Sequence, residues 1–384
     1  MDKKEYRKNA EIMIYLVSCA LNDSVPDGEK LKNTDLSQVF EVCKQHNLTA
    51  CAAYALESLG ISDHSFTQAK EKAVRKNILL DIERERILDR LEAEKIWYMP
   101  LKGAILGKWY PKLGMRQMSD NDILFDSTKA DELHDILCSE GYACKNFGHG
   151  NHDIYHKKPV LNFEMHRSLF SPLLSIKNIY KYYENVKSRL ILNEGTSFGY
   201  HFKNEDLYLY VVAHEYKHFS KFGTGIRSLA DIYVFLRKKG DSLDWEYIYA
   251  ELQKLGIAEF EKKNCKLAFS LFEQKELSAE KKELLDYYVF SGTYGKSENF
   301  YDKEFERYGN SKLSYFRHRF FPSYKYLRES VPWVKKSKLL IPAAYLYRFL
   351  RSLFLNKSRV TGEISYIARK KRTPRKQAER HIRH

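Results

Sequence analysis

The sequence predicts an α+β protein in which a small mixed sheet, within residues 96–170, is embedded in a mostly helical chain. Three observations carry this. Residues 1–95 place apolar side chains at three- and four-residue spacing almost throughout. Residues 96–170 break into short runs with strand-like alternation. From about residue 175 the helical spacing returns. A chain of 384 residues, 43% hydrophobic and 30% charged, has mass for more than one core and a composition that excludes general disorder. Four regions follow: a helical region over 1–95, the α/β core over 96–170, a helical domain over 171–310 that completes a cleft, and a basic helix and tail over 311–384.

The elements are justified in chain order. EYRKNAEIMIYLVSCAL has a basic start and an apolar run, but Glu11 interrupts the approach to it. Asn22-Asp23 then stands where a signal peptide would carry small residues, so this segment is a first amphipathic helix. LSQVFEVCKQHN, LTACAAYALESLG and the long AKEKAVRKNILLDIERERILDRLEAEK continue the helical pattern, with Gly60 as a C-terminal cap. IWYMP is a strand ended by Pro100, and LKGAILGKWY a helix opening at Lys102-Gly103. NDILFD is a strand, and Ser127 caps the helix TKADELHDILCSEG. Two short strands are expected at Tyr142–Phe147 and His152–His156. LNFEMH alternates cleanly, with Leu161, Phe163 and Met165 on one face and Asn162, Glu164 and His166 on the other. EDLYLYVVAHEYKHF and GIRSLADIYVFLRKK are helices of the third region.

Charge is unevenly placed. Residues 311–384 hold 20 Lys/Arg against 3 acidic residues, whereas the first 310 are nearly neutral, so the net charge of +15 says nothing about the chemistry of the core. Six scattered cysteines without a C-x-x-C pair fit free thiols in a reducing compartment, with no disulfide partner. The most lipid-like stretch, Lys338–Leu355, contains Arg348 and Arg351 and is too broken to span a bilayer. The expected location is cytoplasmic, with attachment to the inner membrane face open through the basic region.

Asp120-Asn121-Asp122 leads into Ile123-Leu124-Phe125. On a strand, residues two apart share a face, so the two carboxylates converge, and such convergence asks for a cation. Glu164 offers a third carboxylate from the polar face of another strand. Lys102 and Gly103, at a strand-to-helix turn, supply an ammonium and backbone N–H groups for phosphate oxygens, and Arg116 lies four residues before Asp120. D-x-D alone also fits a solvated turn, and Lys102 a salt bridge at the core edge. Trp109 and Tyr110 read as packing residues. The combination of P-L-K-G, R-x-x-x-D-x-D and E-x-H is the set that two-metal phosphoryl transfer requires.

PLKGAILGKWYPKLGMRQMSDNDILFD and LNFEMHRSL resemble the bacterial uncharacterised nucleotidyltransferase group of the DNA polymerase β-like superfamily. CKQHNLTACAAYAL, HEYKHF, GIRSLADIYVFL and LLIPAAYLYRFLR are similar to that group's flanking patterns, so the resemblance covers most of the chain. It implies that Asp120 and Asp122 bind the catalytic metals, two Mg²⁺ or Mn²⁺ ions, that Glu164 takes the third-carboxylate role and that Gly103 holds the triphosphate. Read from the residues themselves, Lys102 and Arg116 are further NTP-binding groups. The implied reaction moves an NMP from the NTP to an acceptor hydroxyl or phosphate. Two departures stand out: Gly103-Ala104 replaces the usual glycine-glycine/serine pair, and Asn121 occupies a position usually apolar. The alternative class is a non-catalytic nucleotide- or polyanion-binding protein that keeps the cleft.

His214-Glu215-Tyr216-Lys217-His218 matches H-E-x-x-H, the helical zinc motif of metalloproteases, without an evident third ligand downstream. A zinc hydrolase is the third alternative. Otherwise His214, His218, Arg227 and Asp231 either line the cleft facing substrate or make interhelical polar contacts. His166 fits either a substrate contact or a structural histidine. In the last region, ARKKRTPRKQAERHIRH is expected to be disordered. The apolar-cationic helix around 340–357 fits an anionic membrane surface, a polyanion, or packing on the core.

Overall fold

The computed structural model describes residues 1–370 apart from 149, 173–175, 332, 335–336 and 356. The described chain forms two compact units. The first holds residues 1–218 and 224–294, the second residues 219–223 and the chain from 295 onward.

The first unit begins with helices α1 (Lys3–Leu21), α2 (Leu36–His46), α3 (Thr49–Ser58) and α4 (His64–Ala93). Met13, Leu16 and Val17 of α1 are buried with the small residues Ala50, Ala52 and Ala53 of α3, whose short side chains let neighbouring helices approach closely. Helix α3 stops at Gly60, which adopts φ +78° and donates its N–H to Glu57 O at 2.9 Å.

The core follows as β1 (Tyr98–Pro100), α5 (Lys102–Leu106), β2 (Asn121–Phe125), α6 (Ala130–Ser139), β3 (Ala143–Lys145), β4 (His152–Lys157) and β5 (Leu161–His166). The sheet order is β1-β2-β5-β4-β3; β2 and β5 run parallel and the other neighbours antiparallel. The sheet is therefore mixed. One face is apolar: Ile123, Phe125, Phe163 and Met165 are buried with Ile87 and Leu91 of α4 and Leu133 and Leu137 of α6. Each such side chain contributes about 1.5–3 kcal/mol on burial. That layer fixes which way the alternate residues of β2 and β5 point. The turn into α6 corrects one expectation. Asp126, not Ser127, supplies the cap, its Oδ1 accepting from Thr128 N at 3.1 Å, because a carboxylate accepts more strongly than a hydroxyl.

Beyond the core come α7 (Lys177–Tyr182), β6 (Leu190–Leu192), β7 (Tyr200–Phe202), α8 (Asn204–Phe219), α9 (Ile226–Lys239), α10 (Trp245–Leu255), α11 (Ala258–Phe272) and α12 (Ala279–Ser291). The antiparallel pair β6–β7 stands where the sequence predicts helix. Three-residue strands are too short to show alternation, and this pair is held by tertiary contacts: Tyr98 N donates to Phe198 O at 2.9 Å, and Glu92 accepts from Phe198 N. Across the polar side of the sheet, Lys102 meets His214 of α8 and Arg116 meets Asp231 of α9.

The second unit contains α13 (Ser297–Arg307), α14 (Lys312–Phe320), α15 (Tyr324–Ser330), α16 (Ile341–Leu355) and α17 (Lys357–Arg369). Tyr301, Phe305, Tyr315 and Ile367 form one buried cluster, and Leu327, Val331, Val334 and Ala344 another. Buried Glu363 accepts from Tyr315 Oη at 2.7 Å and from both Nε and Nη2 of Arg319. Helix α17 is a correction: Ala368 and Arg369, assigned from sequence to a disordered tail, complete it. Burial of Glu363 and Ile367 stabilises a segment whose own spacing is broken by Thr361-Gly362. The rest of that predicted tail, 371–384, lies outside the described residues. Among the described residues, no helix is long and apolar enough to cross a membrane.

Candidate active site

The parallel ladder sets Asp122 and Glu164 opposite each other as Cα partners, and places His166 opposite Leu124. Period-two alternation then directs Asp122, Glu164 and His166 to the sheet face away from α4 and α6, and Asp120 precedes Asp122 by the same interval. Asn121, between the aspartates, points the other way and is fully buried. Its Oδ1 accepts from Arg84 Nη1 at 3.2 Å and its Nδ2 donates to Leu80 O at 2.9 Å. A polar residue is accommodated at this usually apolar position because both ends of its amide are paired with α4.

The three carboxylates perturb one another. Burial, then the Asp122 and Asp120 charges, raise Glu164 to about 8. Burial and then Asp122 raise Asp120 to about 6, against the pull of Arg227, Lys76 and Lys102. Burial also acts against ionised Asp122, but the hydrogen bond from His166 and the charges of His166 and Lys102 outweigh it and hold Asp122 low, at about 2. His166 Nε2 lies 2.9 Å from Asp122 Oδ1. Buried like charges this close raise the cost of ionising every member of the cluster together.

Lys102, half-buried, approaches His214 Nδ1 at 2.6 Å, and burial lowers its pKa to about 7. Gly103 is buried in a tight space. A Cβ there would lie 2.9 Å from Met118 Cε and 3.4 Å from Arg116 Nη1, so a larger residue would have to displace the end of the Met118 side chain. Arg116 is buried, with Nε and Nη2 bound to Asp231 Oδ1 and Oδ2 at 2.8 and 2.9 Å. Tyr110 Oη donates to the same Asp231 carboxylate at 2.8 Å. The structure thus groups Arg116 and Asp231 with each other. Arg227 donates to Gln117 O at 3.1 Å. Trp109 packs edge-on against Phe235 at 5.1 Å, as a core residue.

In the H-E-x-x-H helix, the rings of His214 and His218 are 4.6 Å apart. Glu215 turns the other way, into the helical core, where its Oε1 accepts from Tyr288 Oη at 2.6 Å. Its burial removes it from the position a hydrolase would need for a water-activating base. Neither histidine belongs to the group of described residues close enough to share a metal ion, which is His152, Glu164 and His166.

His152 and Lys217 are the residues that sequence reasoning missed. His152 is the Cα partner of His166 across β4–β5. Lys217, at a variable position of the zinc-like motif, lowers the pKa of both Asp122 and Glu164. That His152 and His156 share a strand face is legible in the sequence, but strand register is not.

The α+β fold thus presents carboxylates on one face of a mixed sheet, met by cationic side chains from a turn and a helical layer. A family model described as an uncharacterised nucleotidyltransferase matches residues 32–273, and the chain belongs to that family. No curated protein and no solved structure matches it.

Proposed function

We propose that this protein is a metal-dependent nucleotidyltransferase that moves an NMP from an NTP to an acceptor hydroxyl or phosphate and releases pyrophosphate. The observation that carries the reading is the in-register pairing of Asp122 with Glu164, with Asp120 two residues upstream. An all-oxygen donor set of this charge fits Mg²⁺, and the raised pKa values of Asp120 and Glu164 reflect burial first and then mutual repulsion, both of which a cation would offset. Asp120, Asp122 and Glu164 would hold the ions, whose contribution is to neutralise phosphate charge and acidify the acceptor. Glu164 stands beside the acceptor, and its raised proton affinity suits it to take the acceptor's proton. Lys102 and the Gly103 turn face the leaving phosphates; an arriving phosphate would restore the Lys102 charge that burial disfavours. Arg116, tied to Asp231, supports that turn from behind.

The test is Mg²⁺-dependent stabilisation by NTPs, followed by transfer of label from an α-labelled NTP to material in a cell extract. Stabilisation lost in Asp120→Ala and Asp122→Ala, with labelled product formed only by the wild type, supports the reading. Nucleotide binding without transfer to any acceptor supports the non-catalytic alternative.

For the second unit, the reading is a peripheral contact with an anionic membrane, at the cytoplasmic face. Leu346, Tyr347, Phe349, Leu350 and Phe354 of α16 are exposed, with Arg348 and Arg351 among them. A cavity of about 430 Å³, lined by Phe316, Phe320, Phe321, Tyr345, Leu346 and Phe349, opens beside them. Apolar side chains interleaved with arginines suit the interfacial region of a bilayer.

A further inference from the structure

The nitrogen donors beside the carboxylates form a second arrangement. His152 and His166 are Cα partners on adjacent antiparallel strands, and their rings stand 4.9 Å apart. Both direct Nε2 toward one oxygen, Glu164 Oε2, at 3.5 Å from His152 and 3.7 Å from His166. These separations are too long for a charge-assisted hydrogen bond, which closes to ~2.7–2.9 Å. They suit two ligands of one ion: atoms ~2.0–2.1 Å from a tetrahedral zinc stand about 3.3–3.4 Å from each other. Donor atoms of all three residues lie within 4.8 Å of one another. Asp122 Oδ1, 2.9 Å from His166 Nε2, borders this group without belonging to it. The Nδ1 atoms of both rings are buried without a hydrogen-bond partner in the protein. His166 is 8% and His152 31% exposed, which shields the group yet leaves a path for an ion.

We infer that His152, Glu164 and His166 bind a borderline transition-metal ion of the Zn²⁺ class, adjacent to the oxygen-only site of Asp120 and Asp122. Imidazole donors select such ions over Mg²⁺. Glu164 then stands between two unlike sites: an oxygen site suited to the nucleotide's Mg²⁺, and a nitrogen-rich site suited to an ion that stays with the protein. The inference rests on the nucleotidyltransferase reading for the use made of the ion, not for its binding.

Co²⁺ reports this directly, because four-coordinate nitrogen-containing sites absorb far more strongly in the visible than six-coordinate oxygen sites. The chelator-stripped full-length protein is titrated with Co²⁺ alone. The expected result is one ion per chain with intense four-coordinate bands. His152→Gln and His166→Gln should each weaken binding at least tenfold, while Asp120→Asn keeps the bands. Should His166→Gln fail to fold, His152→Gln, at a partly exposed position, carries the test. Wild-type affinity in His152→Gln, or only weak six-coordinate bands in the wild type, overturns the inference. Bands that depend on His152 in a protein showing no Mg²⁺-dependent NTP stabilisation would support this site while removing the nucleotidyltransferase reading.

Discussion

Arg116 and Asp231 form a buried bidentate ion pair that joins the segment before β2 to helix α9, with contacts of 2.8 and 2.9 Å. The Asp231 carboxylate is held below the usual range, burial being outweighed by Arg116, Arg227 and the Tyr110 hydroxyl. The pair fixes the height of the Gly103 turn against the helical layer, because Arg116 Nη1 also borders the space a Gly103 side chain would fill.

Asp231→Ala should therefore destabilise the protein by about 3–5 kcal/mol, since it strands a buried guanidinium. The double variant Arg116→Met/Asp231→Leu should regain much of that loss. Urea unfolding of the three proteins checks this; equal losses for the single and double variants would contradict it.

Asp120→Asn should raise the melting temperature of the metal-free protein at pH 8. The folded chain holds the Asp120 proton up to about pH 6, whereas an aspartate in the unfolded chain releases it near 3.8. Ionisation therefore lowers stability as pH rises through that window, and the amide escapes the cost. The same variant should lose Mg²⁺-dependent NTP stabilisation. A thermal-shift series at pH 8, with and without Mg²⁺-NTP, reads both effects.

Glu215 gives a second pH signature away from the carboxylate cluster. Burial raises it to about 7 from the ordinary 4.5 of a free glutamate, with Tyr288 opposing the shift. Stability contributed by this group is fully present below about pH 4.5 and is lost as pH rises through 7. Glu215→Gln keeps an acceptor for Tyr288 and should be more stable than the wild type at pH 8, by roughly 3 kcal/mol. At pH 4.5 that advantage should vanish, and melting curves at the two pH values decide it.

Deletion of residues 371–384 removes six Lys/Arg and one Glu while sparing Glu363 and Ile367. It should weaken binding to anionic vesicles and reduce its salt dependence, measured near 0.1 M salt where the Debye length is about 10 Å. Phe349→Ser/Phe354→Ser should weaken vesicle binding at every salt concentration, because it removes apolar insertion rather than charge. Polyanion binding retained by that double variant, alongside lost vesicle binding, would separate the two surfaces; unchanged vesicle binding would exclude the membrane role of α16.

The sequence by itself determined the α+β class, the strands carrying Asp122 and Glu164, and the face each carboxylate occupies, because these follow from local periodicity. Leu161, Phe163 and Met165 had to be buried, so Glu164 and His166 had to point the other way. It also placed the positive charge in the last 74 residues. Tertiary structure alone decided which residues meet. The pairing of His152 with His166, the burial of Glu215 against Tyr288, and the engagement of Arg116 by Asp231 join positions from 14 to 115 residues apart. The β6–β7 pair and helix α17 likewise depend on partners elsewhere in the chain, since neither has enough local pattern to specify itself. Periodicity acts over a few residues and is written in the sequence; strand register and helix docking depend on the summed packing of distant side chains, and only the folded chain supplies that sum.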